Sequence, residues 1–87
     1  MQITDEMIDE FNNKNKVFTV SASSDKKRRT LDSSSSEQVL KTNHAYAIIK
    51  SDSKYVYLVN PHNSGSELKV TREEFKEFFN MLHEMEL

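Results

Sequence analysis

No cysteine occurs anywhere in the 87 residues. That absence removes three chemistries from the chain itself: disulfide cross-links, thiolate-bound zinc and a cysteine nucleophile. Long apolar runs are missing too. No stretch approaches the roughly 20 apolar residues that a bilayer-spanning helix needs. The opening MQITDEMIDEF is acidic and lacks the cationic start and apolar centre of a signal peptide. A soluble, cytoplasmic protein is therefore expected. Glycine and proline occur once each, both in the polar turn 61–66. Neither sign of charge dominates: 12 Lys and Arg oppose 14 Asp and Glu for a net −2, so the chain as a whole is no polyanion binder. The length fits one small domain, residues 1–87, near the size where a single core is only marginally stable.

The strongest chemical signal lies in residues 43–60, NHAYAIIKSDSKYVYLVN. Two β-branched and aromatic runs, AYAII and YVYLV, are too short for typical helices, and SDSK between them supplies turn-forming side chains. The pattern predicts a β-hairpin. If Lys50 faces Tyr55 across a four-residue loop, or slips by one residue, His44 falls opposite Pro61 or Asn60. Directly opposed side chains have Cβ atoms about 4.5–5.5 Å apart. At that distance the Asn carbonyl oxygen can fix the imidazole tautomer, giving two members of a Cys-His-Asn constellation.

Before the hairpin, Thr4 reads as the N-cap of a short helix, with Asp5 and Glu6 in its first turn and Met7, Ile8 and Phe11 at helical spacing. The Asn-rich segment 12–15 ends it, with an Asn expected in the left-handed conformation. VFTVSA at 17–22 reads as a strand. Residues 23–38, SSDKKRRTLDSSSSEQ, are of low complexity and predict a mobile polar loop. Its KKRR run (26–29) suits a solvated surface, or alternatively contact with nucleic acid or an acidic membrane.

After the hairpin, residues 67–70 predict a strand. Thr71-x-x-Glu74 is a capping box with Val70 and Phe75 at its staple positions. Phe75, Phe78, Phe79 and Leu82 then repeat at helical spacing, predicting a helix that carries His83 in its last turns. The order helix, strand, loop, three strands, helix predicts an α+β fold: a small antiparallel sheet flanked by an N-terminal and a C-terminal helix.

Other candidate groups carry less. His44 and His62 lack acidic or thiolate companions at zinc-binding spacing, so no metal is expected, and nothing points to a cofactor. The glutamates of 73–86 read as a solvated helix face, and the serines of 33–36 lack the glycine-framed elbow of a serine hydrolase.

HAY at 44–46 followed by VNP at 59–61 resembles the His and Asn motifs of the calpain-type cysteine proteases, papain-fold enzymes with Gly-His-Ala-Tyr and Asn-Pro-Trp on adjacent strands. The helix near 4–13 with VFTVSAS, and TREEFKEFF with HEMEL, resemble the segments that enter and close the second catalytic lobe. Asn43 stands where the family has glycine, and His62 where it has Trp. The resemblance implies that His44 is the general base and acid and that Asn60 orients it. The nucleophilic Cys and oxyanion-hole Gln would belong to a separate N-terminal lobe, with protein substrate bound in the cleft between lobes. It thus implies the His/Asn-bearing half of an endopeptidase, inactive alone. A non-catalytic interaction module that keeps the fold is the alternative.

Overall fold

Two threonine caps fix the helices. The computed structural model describes residues 2–22, 28–32, 37–60 and 63–87. Thr4 Oγ1 accepts from the Met7 amide at 3.3 Å, and α1 (Asp5–Asp9) follows, continued by a 3₁₀ turn at Glu10–Asn12. Thr71 Oγ1 accepts from the Glu74 amide at 3.1 Å while Glu74 Oε1 accepts from the Thr71 amide at 3.0 Å. This reciprocal box starts α2 (Arg72–Phe78).

The strands are β1 (Lys16–Ser21), β2 (Arg28–Asp32), β3 (Glu37–Leu40), β4 (Tyr46–Ser51), β5 (Tyr55–Asn60), β6 (Asn63–Thr71) and β7 (Met81–Glu86). They form one antiparallel sheet in the order β3-β2-β6-β5-β4-β1-β7. Alternation assigns its faces: Phe18 and Val20, Tyr46, Val56 and Leu58, and Leu68 and Val70 all turn inward and are buried. Both helices cover that inner face. Phe11 joins Phe18 (centroids 5.0 Å apart) to Phe75 of α2 (5.6 Å), so one apolar cluster holds both helices to the sheet. The small α+β fold with an antiparallel sheet and two helices agrees with the sequence expectation.

Three features differ from it. Of the expected loop 23–38, residues 28–32 and 37–38 are not loop but belong to the paired strands β2 and β3, with Arg29 opposite Val39 and Leu31 opposite Glu37. Lys26, Lys27 and the serines 33–36 lie outside the described residues. The C-terminal helix stops at Phe78, because Phe79 adopts an extended backbone (φ −91°, ψ 140°). Phe79 is buried nonetheless, and the chain beyond it pairs with β1 from Ser21–Met81 to Lys16–Glu86. The open edge of β1 offers a full ladder of backbone hydrogen bonds, which overrides the helical spacing of the apolar residues. His83 is therefore a strand residue opposite Thr19. Finally, Asn13 after the first helix is extended (φ −71°, ψ 116°); among the described non-glycine residues, only Asn43 has a positive φ.

Arg72 ties the helices together from outside the core. Its Nη2 donates to Asp9 Oδ1 at 2.6 Å, its Nη1 to Asp5 Oδ1 at 3.3 Å and its Nε to the Asp52 carbonyl at 2.8 Å, while Lys76 Nζ donates to Asp5 Oδ2 at 3.0 Å. The Lys76 ammonium, with Arg72 behind it, holds the Asp5 carboxyl below its ordinary pKa. Asp52 is lowered as well, first by the Tyr55 and Lys54 amides that donate to its side chain. A lowered folded-state pKa contributes stability that is present above the unfolded value and lost as pH falls through the folded one. The melting temperature is therefore expected to drop as pH falls below about 4. Asp5→Asn and Asp52→Asn should each flatten that drop. Equal acid sensitivity in both variants and the parent would show that other groups control it.

Candidate functional site

His44 and Asn60 meet at one end of the β4–β5 hairpin. His44 Nε2 lies 2.8 Å from Asn60 Oδ1, and both side chains are half-buried. With an oxygen as partner, Nε2 carries the proton and donates it, which makes Nδ1 the basic nitrogen of the neutral ring. Behind the imidazole stands Tyr46, edge-on with ring centroids 5.0 Å apart, and Tyr46 in turn packs edge-on against Phe79 at 5.8 Å. The histidine thus rests on the aromatic core and not on a mobile loop.

Two backbone contacts pin the turn that presents it. The Asn43 amide donates to the Ala22 carbonyl at 2.8 Å, holding the turn to the end of β1. The Lys41 amide donates to the Tyr46 hydroxyl at 3.0 Å, and burial raises that phenol above its ordinary pKa. Asn43 sits at φ 54°, in the left-handed region that a residue without Cβ enters freely and that Asn tolerates better than most others. Glycine would meet the same backbone requirement at this position. Asn43→Gly is expected to cost under about 1 kcal/mol. Asn43→Val, β-branched, should cost on the order of 1–2 kcal/mol or more. Urea denaturation would check the pair; a Val variant as stable as the Gly variant would contradict the turn's role.

The pairing differs in register from the sequence expectation. Ser51 faces Val56 and Lys50 faces Tyr57, so the loop begins one residue later than the spacing suggests. Asp52 explains this: its Oδ1 accepts from the Lys54 amide at 2.8 Å and the Tyr55 amide at 2.6 Å, an Asx-type turn. Beyond Ile49 the register shifts, with Ile48 on Leu58 and Ala47 on Val59. Continuing this pairing puts Tyr46, not His44, opposite Asn60, and His44 reaches Asn60 diagonally.

That shift has a decisive consequence. Had the loop-side register run on unbroken, Ala47 would face Asn60, leaving His44 and Tyr46 on the other side of the sheet. One residue of slip moves every side chain to the opposite face. The β-bulge at Ile49 restores the match, turning Tyr46 into the core and His44 toward Asn60. A second shift, between Val59 and Asn60 in the β5–β6 pairing, adjoins the site.

His62 lies outside the described residues, and His83 stands on β7, away from this hairpin. Among the described residues no group of three or more His, Asp or Glu side chains is placed to hold a metal ion. No described helix is long and apolar enough to cross a membrane. The Tyr46 support for His44 and the bulge at Ile49 were missed by sequence reasoning; the Tyr two residues after the His was the only available signal. Comparisons with protein-family models, curated proteins and solved structures return no match for this chain.

Proposed function

We propose that this chain is the His/Asn-bearing half of a calpain-like cysteine endopeptidase catalytic domain, with His44 as general base and acid and Asn60 as its orienter. One observation carries the reading: the Nε2–Oδ1 contact of 2.8 Å, made from a turn anchored on the core. It orients an imidazole with Nδ1 as its basic nitrogen, which is what activation of a thiol requires. Since the chain has no cysteine, the nucleophile must come from residues outside these 87.

In the assembled site, the cysteine thiol gives its proton to His44 Nδ1 and the thiolate adds to the scissile carbonyl. The imidazolium then protonates the leaving amine as the C–N bond breaks, leaving an acyl-enzyme. Water hydrolyses that thioester with His44 again as base. Throughout, Asn60 Oδ1 accepts the hydrogen bond from Nε2–H and keeps the ring from rotating.

The test is complementation. The chain alone should not cleave a fluorogenic peptide, whereas mixing it with a Cys-bearing calpain-like lobe should give hydrolysis that iodoacetamide abolishes. A mixture that forms a stable complex yet stays inactive would replace this reading with that of an interaction module.

A further inference from the structure

The sheet face turned away from the helices is not a uniformly polar surface. Val17 (43% exposed), Ile49 (45%) and Met85 (67%) all point outward there. Val17 pairs directly with Met85, and Ile49 lies two residues beyond Ala47, the partner of Thr19, placing it beside the same row. Met81, 42% exposed, lies on the same face of β7, separated from Met85 by the exposed His83.

A second row adjoins the first. Lys50, Tyr57 and Lys69 face one another across β4, β5 and β6. Lys50 Nζ lies 4.9 Å from the Tyr57 ring centroid, and Tyr55 has Lys69 at 4.4 Å and Lys54 at 5.5 Å. Two carboxylates accompany them: Asp52, which accepts from the Tyr57 hydroxyl at 2.9 Å, and Glu67 beside Tyr57. The rows meet at the bulge. Because Ile48 packs against the core and Ser51 is buried, Ile49 and Lys50 both face out, one ending the apolar row and the other beginning the cationic one.

We infer that this outer face docks on an anionic lipid surface, an inference independent of the His44–Asn60 reading. Exposed aliphatics supply area to bury among acyl chains. The tyrosines are amphipathic side chains suited to the headgroup level, and the lysines are long enough to lay their stems on the apolar surface with the ammonium on phosphate. Other occupants use fewer of these features. A single-stranded nucleic acid would need free ring faces for stacking, but lysines lie over both tyrosines, and the aliphatic row would have no partner. A protein partner or second copy would have to cover three lysines, a residue type depleted from interface cores.

The experiment is flotation of the full 87-residue chain with phosphatidylcholine vesicles, with and without about 30% phosphatidylserine, over a salt series. Tyrosine fluorescence gives a second readout. Anionic vesicles should carry the chain and neutral ones should not. Lys50→Gln and Lys69→Gln should each weaken binding about fivefold at low salt. Ile49→Gln and Met85→Gln should weaken it at low and high salt alike, with melting temperatures unchanged. Three outcomes would overturn the inference: no preference for anionic vesicles, binding indifferent to all four substitutions, or the same substitutions abolishing binding to oligonucleotides or self-association while vesicles are ignored.

Discussion

Replacing His44 by alanine is expected to lower kcat/KM of the complemented peptidase by about 10⁴- to 10⁶-fold, leaving only what binding and oxyanion stabilisation supply. The magnitude follows from the proposed role: without the imidazole there would be no base for the thiol and no acid for the leaving amine. Asn60→Ala should cost about ten- to a hundredfold less, because it removes the orienting acceptor but leaves the ring in place. The ring would still pack edge-on against Tyr46, which limits its freedom. Complex formation measured beside activity separates chemistry from assembly, which matters for His44→Ala because it also removes the edge-on contact with Tyr46. A fully active His44→Ala mixture would remove His44 from the mechanism. A larger loss for Asn60→Ala than for His44→Ala would reverse the assigned roles.

The second large effect concerns the scaffold. Phe75→Ala should destabilise the fold by about 3–5 kcal/mol, against a total of about 4–13 kcal/mol for a chain of this size. Phe75 is fully buried, and its ring joins Phe11 after α1 (5.6 Å) to Phe79 (5.0 Å). Truncation would open a cavity where both helices meet the sheet. The neighbouring Phe79 carries Tyr46, and Tyr46 carries His44, so the loss should propagate to the site. The midpoint of urea unfolding measures it, with exposed Glu86→Ala as the reference expected to stay within about 0.5 kcal/mol. A shift below about 1 kcal/mol for Phe75→Ala would mean that the aromatic cluster does not hold the domain together.

These effects rest on features of unequal legibility. The Thr71–Glu74 box and the hairpin runs are local: each depends on neighbours within a few residues, so their sequence signals survive into the fold. The eight residues after Phe79 were not legible in the same way. Phe75, Phe78 and Phe79 are buried at helical spacing, but Leu82 belongs to a strand, because β1 offers MLHEME an unpaired edge. No local pattern encodes a vacancy created some sixty residues away. Residues 28–32 likewise pair with both β3 and β6, Leu31 opposite Lys69, despite their polar composition. Backbone hydrogen bonding to a preformed sheet needs little side-chain hydrophobicity.

The sequence by itself determined that no nucleophilic thiol resides in the chain, that two helices begin at Thr4 and Thr71, and that His44 and Asn60 flank a hairpin. Whether those two residues share a face was beyond it. That depends on the parity of the register, which a turn of one more residue or a single bulge reverses. The tertiary structure decided it through the Asp52 turn, which starts the pairing at Ser51–Val56, and the bulge at Ile49, which shifts it again before the site. A bulge is stable where the surrounding packing rewards it; here burial of Tyr46 against Phe79 does so, and the 2.8 Å contact of His44 with Asn60 follows from that burial.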